Sequence, residues 1–197
     1  TPLPIWECEK CDATRVVSSL ADLDEFAFSK NTFFAVRHGE ATHNVEGWIA
    51  SGSEAKKKSA LTTRGILDVE RAAKALKKEK INLIVASPYH RTKQTVKVLL
   101  QTLGKVPVIY DARLGELNTG IYNGKTVEEY KAIFGGRSVL EFTRTPEGGE
   151  NLRDVQRRML AFLREVNAKY AGKRIVVVSH GDPLWVLEGK LGGLSDE

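Results

Sequence analysis

Apolar residues in this chain gather into short unbroken runs, separated by longer stretches where they recur every three or four positions. The runs are Thr32–Val36, Ile81–Ala86, Val106–Tyr110 and Ile175–Ser179. Continuous apolar runs of this length read as strands buried on both faces, as in parallel sheets. The intervening stretches have helical spacing. Leu61-Thr62-Thr63-Arg64-Gly65 introduces a helix through Lys78, with Ile66, Val69, Ala72, Ala73 and Leu76 on one stripe. Thr92–Leu103 is amphipathic and stops at Gly104, and Thr126–Phe134 is a short helix capped by Thr126 and broken by Gly135-Gly136. A long helix carries Val155, Met159, Phe162, Leu163 and Val166 as far as Tyr170, and Pro183–Lys190 begins the last one. Strands alternating with helices predict an α/β fold, a three-layer sandwich around a mainly parallel sheet.

Two of these strands end alike. The first runs into Arg37-His38-Gly39-Glu40 and the last into His180-Gly181. Open α/β sheets bind ligands at the C-terminal ends of their strands, so two imidazoles are expected to face one pocket. Arg91 follows the strand-ending Ser87-Pro88, and Glu116 follows Leu114-Gly115 in a Gly-punctuated loop that extends to Gly124. Arginine binds phosphoryl oxygens through paired, charge-assisted hydrogen bonds. An unprotonated histidine can attack phosphorus and carry the group covalently. A carboxyl can protonate the leaving alkoxide and later deprotonate the attacking water. These five residues supply each role with no metal and no cofactor.

The chain resembles the histidine phosphatase superfamily, which includes cofactor-dependent phosphoglycerate mutases. The resemblance is carried by Arg37-His38-Gly39-Glu40 with Asn44, by Leu61–Gly65, and by Ser87-Pro88 with Arg91 and Gln94-Thr95. It continues through Leu114–Gly124, Glu147-Gly148-Gly149-Glu150 and Ser179-His180-Gly181. It implies the phosphoglycerate mutase-like fold for residues 31–197. His38 would be the phosphorylated nucleophile and Glu116 the general acid and base. Arg37, Arg91 and His180 would form the phosphate pocket, with Asn44 and Gly181 adding donors. His43 and His90 are read as neighbours of the pocket without a chemical role.

There are departures from the family pattern. Ala41 stands where the family usually has Thr or Ser, so one hydroxyl near the phosphate is missing unless Thr42 replaces it. The long insertion that glycolytic mutases carry after the acid block is absent, with only about twenty residues between Gly124 and Pro146. Water could then reach a phosphohistidine. The expected activity is hydrolysis of a small phosphorylated metabolite by an acid or neutral phosphatase. A phosphoglycerate-type mutase and a non-catalytic phosphate-binding module are the alternatives. Glu116 argues against the module, because a pure anion pocket gains nothing from a carboxylate.

Charge and cysteine content alter this picture little. The 197 residues carry a net charge of +5, with basic groups concentrated at Lys56–Lys58 and at Lys74, Lys77, Lys78 and Lys80. No aromatic residues interleave them, so nucleic-acid binding is weakly signalled. No apolar run approaches the ~20 residues of a membrane-spanning helix. With no signal-peptide pattern at the start, a cytoplasmic setting is the default. Cys8 and Cys11 make at most half of a four-ligand zinc site.

Residues 1–30 differ from the rest. Thr1–Cys11 and Val16–Leu23 resemble a segment of isoleucyl-tRNA synthetases, although neither nucleotide motif of that family is present. A short strand at Arg15–Val17 and a short helix over Ser19–Glu25 are expected there. The sequence also starts without Met. A phosphatase-like module within a larger synthetase-like protein, with tRNA as a possible partner of that parent, is the expectation.

Overall fold

Along each strand, successive side chains go to opposite faces of the sheet, and here that alternation divides the apolar residues between two cores. The computed structural model describes residues 30–52, 59–136 and 139–191. Within them lie β1 (Thr32–Arg37), β2 (Leu83–Ala86), β3 (Val108–Tyr110) and β4 (Arg174–Ser179). All pairings are parallel, and the order across the sheet is β1-β4-β2-β3. Phe33, Leu83, Val85, Ile175 and Val177 face one core, and Phe34, Val36, Ile84, Val176 and Val178 face the other. Helices α4 (Val127–Phe134), α6 (Leu152–Lys169) and α7 (Gly181–Leu191) cover the first core with Phe134, Met159, Phe162 and Val186. Helices α2 (Thr63–Lys77) and α3 (His90–Leu103) cover the second with Val69, Leu76, Val96 and Leu99. Each fully buried aliphatic side chain contributes about 1.5–3 kcal/mol. The predicted α/β sandwich with a parallel sheet is the observed one.

Caps set the helix starts as the sequence suggests. Thr62 Oγ1 accepts from the Gly65 amide at the start of α2, and Thr126 and Glu129 form a reciprocal capping box on α4. Asn151 accepts from the Asp154 amide at the start of α6.

Boundaries shift where a local hydrogen bond or a proline decides. Strand β3 starts at Val108 because Pro107 has no N–H to donate and offers only its carbonyl, which accepts from the Ile84 amide. Strand β2 starts at Leu83 because the Asn82 side chain caps the Arg174 amide. Helix α3 begins at His90, two residues before the expected start. Its first turn holds the buried Arg91, which hides the apolar periodicity there. Two five-residue helices, α1 (Thr42–Glu46) and α5 (Val139–Thr143), are too short to show periodicity and were not anticipated. The expected features at Arg15–Val17, Ser19–Glu25, Cys8, Cys11 and Lys56–Lys58 lie outside the described residues. Lys74, Lys77, Lys78 and Lys80 are exposed at the end of α2 and just beyond it, as solvated surface would be.

The register brings the strand ends together. Arg37 is opposite Ser179 and Ala86 is opposite Val178. The His38 amide then donates to the Ser179 carbonyl at 3.1 Å, and the Ser87 amide donates to the Val178 carbonyl at 2.9 Å. The Arg37-His38-Gly39-Glu40 turn is held against α2 by close backbone contact. A Cβ on Gly65 would lie 2.1 Å from the Glu40 carbonyl oxygen, so only glycine fits. Glu40 itself is occupied structurally, accepting from the Thr62 hydroxyl at 2.7 Å.

Candidate active site

The C-terminal edge of β1, β4 and β2 delivers His38, His180 and Ser87 side by side. The His38 and His180 rings are 5.2 Å apart, and both residues are buried. His38 Nδ1 is 2.8 Å from the Gly39 carbonyl, which can only accept, so Nδ1 carries the proton. Nε2 is then the unprotonated nitrogen of a neutral ring. Burial, with Arg91 and Arg37 adding to it, holds the His38 pKa well below its ordinary value, so the neutral form persists at neutral pH.

His180 is oriented differently. Its Nδ1 accepts from Arg91 Nε at 3.1 Å, so Nε2 carries the proton and donates to Ser87 Oγ at 2.7 Å. Burial and Arg91 likewise keep His180 neutral. His180 therefore aims Arg91 from behind, with both of its own ring nitrogens occupied. Arg91 is 1% exposed, and neither Nη1 nor Nη2 has a hydrogen-bond partner among the described residues. Two buried guanidinium donors left open in this way call for an anion. Burial brings the Arg91 pKa down to about 10, which still leaves it charged at neutral pH.

Arg37, Arg91, Asn44, Glu116 and Gly181 all line one cavity of about 500 Å³. Burial, then the charge of Asp182, raise the Glu116 pKa to about 7, so it is poised to hold or release a proton at neutral pH. Its loop is clamped from behind. Arg158 forms a two-pronged pair with Glu150 at 3.0 and 2.8 Å and donates to the carbonyls of Glu116 and Arg113. Glu150 in turn accepts from the Asn118 amide. A Cβ on Gly120 would meet the Glu147 carbonyl at 1.9 Å, so the Glu147–Glu150 segment and the acid loop pack backbone to backbone.

All the site residues expected from the sequence and described here converge on this edge. Asn44 is more exposed than a phosphate ligand need be. Its Oδ1 accepts from the Ala41 amide, and its Nδ2 donates to His43 Nε2 at 3.1 Å. His43 is thereby fixed with its proton on Nδ1, 2.6 Å from Ser59 Oγ, and its ring sits 5.7 Å from that of His38. Ala41 is wholly buried, and the Thr42 hydroxyl lies 3.5 Å from Ser59 Oγ and does not line the cavity. Sequence reasoning assigned no role to Ser87, Tyr89 or Asp182. Tyr89 packs its ring edge against His180 at 4.8 Å and lies under Arg91. The signal for Asp182 was its place directly after His180-Gly181, where an acid also reads as ordinary first-turn charge.

Three buried neutral imidazoles have a consequence for stability. His38, His43 (held at about 3) and His180 take up protons in the unfolded chain below pH ~6.5 but not in the native one. Each then costs about 1.4 kcal/mol of stability per pH unit as pH falls below that value. Glu116 acts oppositely between its raised pKa and the unfolded one, leaving the balance of about two imidazoles. The midpoint of urea unfolding, in phosphate-free buffer, is expected to drop sharply between pH 7 and pH 5.5. An unchanged midpoint would mean that these rings are not buried neutral.

A parallel α/β sheet here gathers two imidazoles, two guanidiniums and a carboxyl with a raised pKa near one edge. The chain belongs to the histidine phosphatase superfamily (branch 1), whose sequence profile matches residues 33–197. It is 33% identical over 169 residues to a protein of Yersinia enterocolitica named probable phosphoglycerate mutase GpmB, covering 82% of this chain and 74% of that one. Among solved structures, Bacillus stearothermophilus YhfR is similar with a TM-score of 0.73 and 26% identity, over 84% of this chain and 81% of that one. A mycobacterial glucosyl-3-phosphoglycerate phosphatase in complex with VO3 gives a TM-score of 0.69 and 28% identity, over 82% and 81%.

Proposed function

We propose that this domain hydrolyses a phosphomonoester through a phosphohistidine on His38. The observation that carries the reading is the neutral His38, its proton fixed on Nδ1, beside the open Nη donors of Arg91. The phosphoryl group sits on Arg91 and Arg37, with His180 holding Arg91 in place and Asn44 and Gly181 at the cavity wall. His38 Nε2 forms a bond to phosphorus as the ester P–O bond breaks, and Glu116 gives its proton to the leaving alkoxide. Glu116, now ionised, takes a proton from water, which attacks phosphorus, breaks the P–N bond and releases inorganic phosphate. The arginines neutralise charge on the equatorial oxygens throughout. A superfamily made of phosphatases and mutases supports enzymatic activity.

The test is a panel of phosphomonoesters, p-nitrophenyl phosphate included, assayed with and without EDTA. Turnover is expected in both, because two guanidiniums supply the positive charge that Mg²⁺ supplies elsewhere. Loss of turnover in chelator, restored by added metal, would require a different mechanism. A mutase is the second reading, favoured by the name of the Yersinia relative. It would keep label within the acceptor pool instead of releasing inorganic phosphate. The placement of the domain in an isoleucyl-tRNA synthetase-like protein, and with it any tRNA partner, is a proposal carried by Thr1–Leu23 alone. The reading frame upstream of Thr1 decides it.

A further inference from the structure

Ser87 is wholly buried and does not line the cavity, yet its hydroxyl meets His180. Its place is set by the backbone around it. The Ser87 amide donates to the Val178 carbonyl at 2.9 Å, and its carbonyl accepts from the Thr92 hydroxyl at 2.7 Å. The direction of its bond to His180 follows from Arg91. A charged guanidinium has no acceptor, so Arg91 Nε can only donate to His180 Nδ1, 3.1 Å away. The neutral ring then carries its proton on Nε2, and Ser87 Oγ accepts it at 2.7 Å. Without that oxygen the ring would either keep a buried N–H with no acceptor or move the proton to Nδ1, against the Arg91 N–H. Arg91 depends on this ring. The bond from Nε is the guanidinium's one hydrogen bond among the described residues, and the Tyr89 ring lies 5.0 Å from its carbon.

We propose that Ser87 is a positioning residue for phosphate binding. By accepting from His180 Nε2 it imposes the tautomer through which His180 holds Arg91, and so keeps both Nη donors aimed at the phosphoryl group. The inference rests on the phosphatase reading given above for the anion that Arg91 receives. An arginine side chain has many rotamers, and holding it at Nε removes that freedom before the anion binds. Ser87 acts without touching phosphate. Nor is it a nucleophile, although it stands beside a histidine. The nitrogen facing it donates a proton and has no lone pair with which to take one, so the hydroxyl is not activated.

The probe is inorganic phosphate at pH 7, its binding followed by shifts in the amide NMR spectrum, which report weak binding as well as tight. Ser87→Ala is expected to raise the Kd about tenfold, the scale of one hydrogen bond in a charged network. In an Arg91→Ala background the same substitution should cost less than about twofold, because no guanidinium remains to be aimed. Equal losses in the two backgrounds would mean that Ser87 serves packing alone, and no loss in either would also overturn the proposal. The imidazole ¹⁵N spectrum tests it separately in the wild-type protein. His180 is expected to show a protonated Nε2 and an unprotonated Nδ1, and Ser87→Ala to lose that single tautomer. A proton found on Nδ1 in the wild type would refute the relay whether or not any variant folds. If no phosphomonoester is turned over but the coupling to Arg91 holds, the phosphatase reading falls and the role of Ser87 stands. If turnover is found and the coupling is absent, the role of Ser87 falls alone.

Discussion

Replacing His38 with alanine is expected to lower turnover by roughly 10⁶-fold, the scale seen when a covalent nucleophile is removed. It should also abolish the covalent label. Wild-type protein incubated briefly with ³²P-labelled substrate and quenched in base should carry base-stable, acid-labile phosphate on His38. The expectation follows from the tautomer. The Gly39 carbonyl ties down Nδ1–H, leaving Nε2 with its lone pair and no hydrogen-bond partner among the described residues. The other buried rings cannot take over, because His180 uses both nitrogens on Arg91 and Ser87 and His43 uses both on Ser59 and Asn44. The variant should still bind inorganic phosphate, since Arg91 is anchored by His180 and not by His38. Label appearing on His180, on His43 or on a serine would sink the assignment.

That tautomer was not legible in the sequence, although the residue was. Arg37-His38 and Ser179-His180 could be placed at strand ends because apolar runs stop there and parallel strands share one ligand-binding edge. The sequence pattern likewise gave Arg91 and Glu116 through their turns. Which nitrogen carries a proton depends on carbonyls and hydroxyls that come together only on folding. Ser87 meets His180 across two adjacent strands, and Ser59 meets His43 across a loop. Asp182 and Glu141 were missed for a related reason. One looks like ordinary first-turn charge and the other lies in a helix of five residues, and only the packing of α4, α5 and α7 turns both toward one cavity. His43 was read from sequence as a neighbour of the pocket without a chemical role, and it does line the cavity. Periodicity found the long helices for the converse reason, since their apolar stripes are local properties of the chain.

Glu116→Gln is expected to lower kcat/KM for alkyl phosphates by roughly 10²–10⁴, the usual contribution of a positioned acid and base. The amide keeps the side chain's size and can still take the Leu117 amide on its carbonyl oxygen, so the loop held by Arg158 and Glu150 should not move. What is lost is the proton for the leaving alkoxide and the base for the second step. p-Nitrophenyl phosphate, whose phenolate leaves without help, should suffer much less in the first step. Phosphate should bind as well or better, because no carboxylate then opposes it. The pH profile gives the sign independently. Glu116 must be protonated to act as the acid, and with its pKa at about 7 that form is lost as pH rises. Wild-type kcat/KM is therefore expected to fall above pH ~7, about tenfold per unit for one ionisation. No matching loss should come from His38 as pH drops toward 6, since its ring stays neutral well below its ordinary pKa. Glu116→Gln should flatten the alkaline limb, and Asp182→Asn should move it to lower pH by removing the charge that raises the carboxyl. An alkaline limb that persists unchanged in Glu116→Gln would show that another group is the acid.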